Sequence, residues 1–548
     1  MGALILSFLV PAVAFGQGQP LRTRHVRSVV SNGTRAWAGQ LPASRIMRLS
    51  IVLPLSNESE LDQVLQALYD PTSPSYHQFL SMKEFTDRFG PSQQQYKAVI
   101  KFAKANGLKV TTTYPNRLVV NVSGTVANIE KALNVSMCVY QHKTKKGTFF
   151  ATDREPTPAL PFALWHIAGL DNYSTPHPAS LKRASDGQTP NRWGSGATGS
   201  GPGGYYIGSD MRAAYYGGTS LTGKGQSVGL VEFAGYNAQD ISNYFNQVNQ
   251  KCAVPIKGVS VDGSSLNCTR RCDDTEQALD IEEAISMAPG MSQLRVYVSD
   301  TNDVAIFNKM ATENICKSLS CSWGWSPADT TSNDPIFKEF AAQGQTLFVA
   351  SGDSGAYNNG SSDVYPADDP YVTSVGGTDL ITAGAGGAWQ SETAWSDSGG
   401  GISPNKIAIP SYQRTTGIIT TANGGSTAYR NCPDVAAQAN TNNYICYDGF
   451  CEGGWGGTSF AAPIWAGYLA LANQQAASSG YNTLGFINPS LYTIGLGKSY
   501  TSNVPDITSG SNGAYSSTTG YDLVTGWGSP KGSGLILSLE PWTGQSAH

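Results

Sequence analysis

The stretch Gly457-Thr458-Ser459-Phe460-Ala461-Ala462-Pro463 places a serine directly ahead of an apolar run that continues to Leu471. Such a run predicts a buried helix, and a glycine-rich stretch, residues 453–457, leads into it. Glycines let another backbone approach closely, which favours a functional serine at this point. A serine at a helix N-terminus can also be a simple cap, so the residues alone leave both interpretations of Ser459 open.

Histidine is missing from the region around this serine. The chain has six histidines, which are His25, His77, His142, His166, His177 and His548. A serine hydroxyl is a weak nucleophile and needs an adjacent base to take its proton. If Ser459 is a nucleophile, its base must therefore be a carboxylate, and a carboxylate base suits acidic working conditions.

A pair of acidic residues could supply that base. The predicted helix over residues 274–287 carries Glu276 and Asp280, four residues apart, so both side chains share one helix face. Two close carboxyl groups ionise in separate steps and tend to share a proton, which gives a base with a second acid to orient it. The alternative is a capping box formed by Asp273 and Glu276 at the start of the helix.

A third acidic residue follows a predicted strand. Asp353 lies in Ser351-Gly352-Asp353-Ser354-Gly355, directly after the apolar run 347–350. Functional groups in α/β sheets collect at the carboxyl ends of the strands. A protonated Asp353 could donate a hydrogen bond to a tetrahedral oxyanion, as a neutral carboxylic acid does in an apolar site. Alternatively, this run of Gly, Ser and Asp is an ordinary turn.

The chain divides into two regions of different pattern. Residues 17–190 predict an α+β domain, with helices at 60–69 and 93–106 and strands at 108–114 and 117–122. Residues 191–204 are rich in Ser, Gly and Pro, which predicts an exposed linker of the kind that proteases cut. Residues 205–548 alternate short apolar strands with helices, which predicts a mostly parallel α/β sheet. The segments that carry this prediction are 227–233, 240–250, 274–287, 293–298, 318–323, 335–343 and 346–350.

Charge is distributed unevenly between the two regions. Residues 1–190 hold 20 Lys and Arg against 11 Asp and Glu, a net charge of +9, whereas residues 191–548 hold 16 against 29, a net charge of −13. The basic residues are scattered, so we expect no nucleic-acid partner. The asymmetry favours a basic N-terminal domain held against an acidic one by complementary fields, an attachment that weakens as carboxylates take up protons.

The N-terminal stretch Leu4–Phe15 is apolar and has the length of a signal peptide, with Ala12-Val13-Ala14 as a cleavage point. We therefore assign residues 1–16 to a signal peptide and expect secretion to the extracellular space. No other stretch approaches 18 consecutive apolar residues, so the sequence predicts no membrane anchor.

The cysteine spacing suggests short disulfides in an oxidising compartment. Candidate pairs are Cys316 with Cys321 and Cys446 with Cys451. Cys268 and Cys272 have the spacing of half a zinc site, but no histidine and no second close pair completes it.

Taken in order, three motifs resemble the sedolisin family of serine-carboxyl peptidases, which includes kumamolisin-like enzymes and tripeptidyl peptidases. They are Glu276-Gln-Ala-Leu-Asp280, Ser351-Gly-Asp353, and Gly457-Thr-Ser459 with Ala461-Ala-Pro463. Residues 17–190 also resemble that family's activation prodomain. The resemblance implies a subtilisin-like, mostly parallel sheet flanked by helices and preceded by an α+β prodomain. It makes Ser459 the nucleophile, Glu276 the general base, Asp280 its partner and Asp353 the oxyanion donor.

The resemblance extends to residues around these motifs. Glu232, near the end of the 228–233 strand, and Trp323, in Ser322-Trp323-Gly324, resemble a kumamolisin-type pair that supports the catalytic acids. Cys432, in Asn431-Cys432-Pro433-Asp434, departs from the family pattern, which has an aliphatic residue there. We expect it to be a buried free thiol.

Near the C-terminus, Asp506-Ile507 and Gly520-Tyr521-Asp522-Leu523-Val524-Thr525-Gly526 resemble the family's calcium site. Calcium takes hard oxygen ligands and often mixes carboxylates with backbone carbonyls. The resemblance implies one Ca²⁺ held by the side chains of Asp506 and Asp522 and by the carbonyls of Ile507, Thr518 and Gly520. The alternative is two aspartates in a glycine-rich turn.

The sequence therefore predicts a secreted acid endopeptidase that cleaves proteins or peptides through an acyl-enzyme on Ser459. Its own prodomain is expected to keep it inactive until acidification, when cleavage falls between about Arg183 and Gly204. The alternatives are a tripeptidyl exopeptidase of the same family and an inactive homologue that acts as a binding protein. Retention of all four catalytic positions argues against the inactive homologue.

Overall fold

The computed structural model describes residues 19–142, 147–179, 181–184, 199–268, 273–357 and 364–540. The predicted signal peptide, residues 1–16, and residues 191–198 of the predicted linker lie outside these ranges. Backbone contacts divide the chain into two compact units. The first comprises Met1–Pro54, Ser92–Thr113 and Val120–Tyr173, and the second comprises Leu55–Pro91, Tyr114–Val119 and Ser174–His548.

The helices of the described residues are, in chain order, α1 (Ser28–Ser31), α2 (Glu58–Leu68), α3 (Met82–Phe89), α4 (Gln93–Ala105), α5 (Val126–Leu133), α6 (Gly208–Tyr215), α7 (Ala238–Gln247), α8 (Thr275–Met287), α9 (Asp303–Glu313), α10 (Asp334–Ala342), α11 (Thr458–Ser478), α12 (Asn488–Gly495), α13 (Tyr500–Asn503) and α14 (Gly532–Leu539). Short 3-10 turns cover Pro202–Gly204 and Ser411–Gln413.

The strands of the same residues are β1 (Trp37–Gln40), β2 (Ile46–Val52), β3 (Lys109–Thr113), β4 (Val119–Thr125), β5 (Met137–Gln141), β6 (Thr148–Thr152), β7 (His166–Ala168), β8 (His177–Pro178), β9 (Lys182–Arg183), β10 (Ser227–Glu232), β11 (Ile256–Ser260), β12 (Gln293–Val298), β13 (Ser318–Cys321), β14 (Trp323–Gly324), β15 (Thr346–Ala350), β16 (Thr373–Thr382), β17 (Trp389–Ala394), β18 (Gly401–Ile402), β19 (Asn431–Cys432), β20 (Val435–Gln438), β21 (Asn443–Tyr447) and β22 (Phe450–Gly456).

The first unit is an α+β structure built around a sheet in the order β3-β4-β2-β7. Its core joins the alternate, inward side chains of β2 and β4 to the apolar faces of α4 and α5, as the period of each element requires. α4 begins at a capping box in which Ser92 and Gln95 satisfy each other's backbone N–H groups, so its start is fixed by local sequence.

The second unit is built on a sheet in the order β11-β12-β10-β13-β15-β16-β17, with β20 also paired to β16. Every pairing in it is parallel except that of β16 with β17. The central strands are apolar and buried along their length, as expected when both faces of a parallel sheet are covered. The mostly parallel sheet predicted from the sequence is confirmed.

Two buried helices of this unit, α8 and α11, pack directly on each other. All residues of α8 are buried, and α11 is buried from Thr458 to Asn473. Close approach depends on Gly467 of α11, because a Cβ there would lie 2.7 Å from the Cβ of Met287 on α8. The helix that carries Glu276 and Asp280 is thereby held against the helix that begins at Ser459.

One of the two predicted disulfides is present. Cys446 and Cys451 face each other on the antiparallel strands β21 and β22 and are bonded. The predicted pairing of Cys316 with Cys321 is wrong, because both are buried free thiols. The intervening residues form strand β13, and five extended residues span about 16 Å, far beyond disulfide reach.

The remaining cysteine predictions divide between described and undescribed residues. Cys432 is a buried free thiol, as expected. Cys268 is disulfide-bonded, which removes it as a zinc ligand, and Cys272 lies outside the described residues. No helix in the described part of the chain has the length and apolarity needed to cross a membrane.

Candidate active site

Ser459 is the second residue of α11 and has no exposed surface. The N-cap position belongs to Gly457, so the interpretation of Ser459 as a simple cap is wrong. A side chain at position 457 would collide with Asp353, since a Cβ would lie 2.7 Å from its Oδ2 atom. The glycine therefore brings the start of α11 up to the end of β15.

Ser322, between β13 and β14, contacts Ser459 twice. The Ser459 hydroxyl donates to the Ser322 carbonyl at 3.5 Å, and the Ser322 hydroxyl makes a second, longer bond to the Ser459 carbonyl at 3.3 Å by sharing the proton that it also directs to Asp280 at 2.7 Å. The second bond has a sequence cause. Pro463 stands four residues after Ser459 and has no N–H to bond that carbonyl, so the carbonyl is left for Ser322.

Glu276 is buried in the first turn of α8. It forms no capping box, because the Asp273 carboxylate instead accepts bonds from the Thr275 backbone at 3.1 Å and hydroxyl at 2.6 Å. Within the described residues, the Glu276 oxygens have no hydrogen-bond partner at normal distance. Burial, and then the charge of Asp280, raise the pKa of Glu276 well above its ordinary value, while the Ser459 hydroxyl acts from longer range to lower it.

Asp280 lies one turn further along α8 and accepts a bond from the Ser322 hydroxyl at 2.7 Å. Burial raises its pKa to about 8. Glu232, at the end of β10, accepts a bond from the Trp323 indole N–H at 3.0 Å and also interacts with the Asp280 carboxyl. Burial, followed by the charges of Asp280 and Glu276, raises the pKa of Glu232 well above its ordinary value. The cluster of three carboxyl groups therefore holds shared protons at acidic pH and does not carry three negative charges.

Asp353 follows β15 on the other side of Ser459. Its Oδ1 accepts bonds from the Thr458 backbone N–H at 2.6 Å and from the Thr458 hydroxyl at 2.8 Å. Its Oδ2 has no hydrogen-bond partner among the described residues and lies beside Gly457. Burial raises the pKa of Asp353 to about 7, so at acidic pH this side chain is a neutral acid that can donate a hydrogen bond.

The structure thus brings together Glu276, Asp280, Asp353, Ser459, Glu232 and Trp323 from five separate segments. Sequence reasoning missed two further residues of the site, Ser322 and Thr458. Both adjoin residues that were identified, Trp323 and Ser459, but a serine and a threonine carry no distinguishing spacing of their own. Only the folded geometry shows that Ser322 links Asp280 to Ser459 and that Thr458 bonds to Asp353.

The residues expected to bind calcium lie on one turn and the segment beside it. Asp522 is fully buried and accepts bonds from the backbone N–H groups of Thr518 at 3.1 Å and Val524 at 2.9 Å. Asp506 accepts from the Gly520 N–H at 3.1 Å, and Ile507, next to it, is buried. Only two carboxylates meet here, and the described residues contain no cluster of three or more His, Cys, Asp or Glu suited to a metal. Backbone carbonyls would have to complete the site.

Comparison with known proteins agrees with this geometry. Residues 36–172 match the family described as "Pro-kumamolisin, activation domain", and residues 277–486 match the subtilase family. Sedolisin from Pseudomonas sp. (strain 101) is 30% identical over 89% of this chain and 86% of its own length. The chain belongs to the sedolisin family. It is a serine-type peptidase with an N-terminal activation domain.

Other members of the sedolisin family match over comparable lengths. Kumamolisin from Bacillus sp. (strain MN-32) is 29% identical over 96% of this chain and 99% of its own length. Tripeptidyl-peptidase 1 from Homo sapiens is 26% identical over 91% of this chain and 93% of its own length. The solved structure of Pseudomonas sedolisin, a serine-carboxyl proteinase complexed with pseudo-iodotyrostatin, superposes with a TM-score of 0.53, covering 62% of this chain and 98% of that one.

Replacing Glu276 tests whether its position beside Ser459 matters for the reaction. We expect Glu276→Ala to lower kcat by about 10³-fold or more, since catalytic groups that act as a unit fail together. Asp300→Ala is the control, because it removes an exposed carboxylate elsewhere in the second unit. Peptide cleavage in acid is the measurement, with circular dichroism to check folding. Full activity in Glu276→Ala would remove this residue from the catalytic machinery.

Proposed function

We propose that the protein is a secreted, acid-active endopeptidase, made as a proenzyme that cuts its own chain after Ala179. One observation carries this proposal: residues on both sides of Ala179 pair with strands that flank Ser459. A secreted destination is supported by the apolar leader of the sequence and by the disulfide between Cys446 and Cys451, since such bonds persist in oxidising compartments.

Upstream of Ala179, β8 pairs antiparallel with β14, matching Pro178 with Trp323 and His177 with Gly324. The Ala179 N–H then donates to the Ser322 carbonyl at 3.2 Å. The Ser459 hydroxyl bonds to the same carbonyl. The Ala179 N–H and the Ser459 hydroxyl therefore both bond to the Ser322 carbonyl oxygen. This shared partner supports the Ala179 carbonyl carbon as the atom that Ser459 attacks.

Downstream of Ala179, β9 pairs antiparallel with β22, matching Lys182 with Gly456 and Arg183 with Trp455. The Ala184 N–H also donates to the Gly454 carbonyl at 2.8 Å. The described chain continues upstream of His177 as well, whereas a tripeptidyl peptidase must enclose a substrate's amino terminus. Pairing of the chain on both sides of Ala179 supports endopeptidase activity.

The chemistry follows from the protonation of the buried acids. In its ionised form Glu276 accepts the Ser459 proton, and the serine oxygen forms a bond to the substrate carbonyl carbon. The neutral Asp353 donates a hydrogen bond to the oxyanion that develops. Asp280 and Glu232 share a proton with each other and so limit the build-up of negative charge beside Glu276. The Glu276 proton then passes to the leaving amine as the carbon–nitrogen bond breaks, and water hydrolyses the acyl-enzyme.

Acid activation has a structural candidate that sequence reasoning did not single out. His77 is 3% exposed and stacks on Tyr76 at 4.1 Å and Phe79 at 5.2 Å, and neither ring nitrogen has a hydrogen-bond partner in the described part of the chain. Phe79 itself fits against Gly485, where a Cβ would lie 2.2 Å from the phenylalanine ring. The segment that carries His77 is thereby packed on the peptidase part of the second unit.

Burial lowers the pKa of His77 to about 4, below its ordinary value of 6.5. The packed arrangement therefore favours the neutral ring, and it loses stability as the pH falls from 6.5 towards 4. Glu339 has the opposite effect, because burial raises its pKa to about 8, although the hydrogen bond from Asn116 acts to lower it, and packing then favours its protonated form. Protonation of His77 in acid therefore favours release of the segment that carries it from the peptidase part of the second unit.

Asp353 sets an upper pH limit for activity in this proposal. As the pH rises through about 7, its carboxyl ionises and can no longer donate to the oxyanion. Asp353→Asn retains an acceptor for Thr458 and presents an NH₂ group that donates at every pH. We expect Asp353→Asn to keep measurable activity that no longer falls as the pH rises through about 7. Asp353→Ala should lower kcat by about 10²–10³-fold at every pH. An unchanged pH profile in Asp353→Asn would contradict the assigned role.

Self-processing is tested by shifting purified full-length protein from pH 7 to about pH 4, where carboxylates approach their reference pKa values. We expect a first new amino terminus at Ser180, upstream of the linker site expected from the sequence. Ser459→Ala should stay intact under the same conditions. Mass spectrometry and N-terminal sequencing give the answer. Equal processing of wild type and Ser459→Ala would show that another protease cuts the chain.

We also propose that the 506–522 region holds one Ca²⁺, with side-chain ligands from Asp506 and Asp522 and backbone carbonyls from Ile507, Thr518 and Gly520. Burial raises the pKa of Asp522 to about 7 and that of Asp506 above its ordinary value. A bound cation would offset this cost of burying two carboxylates, which supports the fit.

Chelation tests the calcium proposal. A ligand that binds only the folded state raises stability by mass action, so a chelator should lower the Tm of the Ser459→Ala protein. Asp506→Ala combined with Asp522→Ala should lower Tm and abolish the effect of the chelator. The exposed Asp300→Ala serves as the control. If neither the chelator nor added Ca²⁺ changes the Tm of the Ser459→Ala protein, the calcium site is ruled out.

A further inference from the structure

Strand β22 becomes an edge strand once β9 leaves it. In the described sheet, β22 lies between β21 and the short strand β9. β9 follows Ala179, so after cleavage it lies beside the new amino terminus of the enzyme, and its withdrawal from β22 exposes the β22 edge. An extended chain that adds to such an edge gains affinity from main-chain hydrogen bonds and specificity from its side chains. Substrate residues downstream of the cleaved bond can therefore occupy the position that β9 holds here.

One side chain of β9 meets a defined set of partners on the β21–β22 hairpin. The Arg183 guanidinium forms an ion pair with the Glu452 carboxylate and lies over the Trp455 ring, 5.8 Å from its centroid. The Tyr447 hydroxyl donates to the other Glu452 oxygen at 2.6 Å. The rings of Tyr447 and Trp455 pack edge to face at 5.3 Å.

Through these contacts the β21–β22 hairpin presents a preformed binding site for a positively charged side chain. Tyr447 holds the Glu452 carboxylate from one side, and Trp455 offers an aromatic face to the same cation. The disulfide between Cys446 and Cys451 ties the two strands together within this group. The buried Glu282 of α8 accepts a bond from the Cys446 N–H at 3.3 Å, which anchors the hairpin to the helix that carries the catalytic acids.

We propose that Glu452, Trp455 and Tyr447 form a substrate subsite for a Lys or Arg side chain at the fourth position after the cleaved bond. Arg183 occupies this subsite in the proenzyme, since it is the fourth residue after Ala179. The inference rests on the proposed cleavage after Ala179 and adds the class of side chain that the enzyme recognises downstream.

The test uses mature wild-type enzyme and quenched fluorescent peptides based on residues 174–186, with Arg, Lys, Gln or Glu at the position of Arg183. An exposed ion pair and one cation–π contact together favour Arg or Lys over Gln by about threefold to tenfold in kcat/KM. Added salt should reduce this ratio, because it screens exposed charges. Equal kcat/KM values for the Arg and Gln peptides would overturn the proposed subsite. The contacts of Arg183 would then belong to the proenzyme alone.

Variants assign the preference to its residues. Glu452→Gln should remove the preference for Arg and Lys over Gln, and Glu452→Lys should favour the Glu peptide instead. Asp300→Asn is the matched control, since it removes an exposed carboxylate elsewhere and should keep the preference. A preference for Arg that survives in Glu452→Gln would overturn the assignment. If wild-type enzyme cleaves none of the peptides after the alanine, the proposed function fails before the subsite is tested.

Discussion

The central constraint on this molecule is the burial of several carboxyl groups around Ser459. Glu276, Asp280 and Glu232 lie together with almost no exposed surface, and Asp353 is buried on the other side of Ser459. Removing an ionised carboxyl from water is costly, so such groups keep their protons instead. That single fact makes a histidine unnecessary. The same burial supplies a neutral hydrogen-bond donor and a set of acids that exchange protons with one another.

The surrounding fold holds these acids against the nucleophile. Gly467 lets α11 approach α8, and Gly457 lets the start of α11 approach Asp353. Ser322 then connects the two sides through bonds to Asp280 and to the backbone of Ser459. Each of these contacts depends on a small residue, because a larger side chain would separate the helices or displace an acid. The reacting geometry therefore follows from close backbone packing as much as from the acids themselves.

Part of the candidate site could be predicted from local spacing, and the roles of its residues were implied by the resemblance to the sedolisin family. Glu276 and Asp280 share a helix face by their separation alone, and the apolar runs predicted the buried parallel strands. The failures depend on long-range structure. The pairing of Cys316 with Cys321 was inferred from spacing, but the strand between them keeps them apart. The strands β16, β17, β20, β21 and β22 were not predicted, and neither was the pairing of residues after Ala179 with β22. No local pattern shows which distant segment an edge strand will meet.

The retained protons also change how acid affects the folded protein. Asp280 and Asp353 have pKa values of about 8 and about 7 in the folded chain, against an ordinary value of 3.8. Between these limits the folded state binds more protons than the unfolded state, so each group lowers the stability by about 1.4 kcal/mol for every unit that the pH rises. Most proteins lose stability in acid because their carboxylates must be protonated. In this peptidase the buried acids around Ser459 contribute the reverse dependence, so their contribution to stability is greatest in acid and declines towards neutral pH.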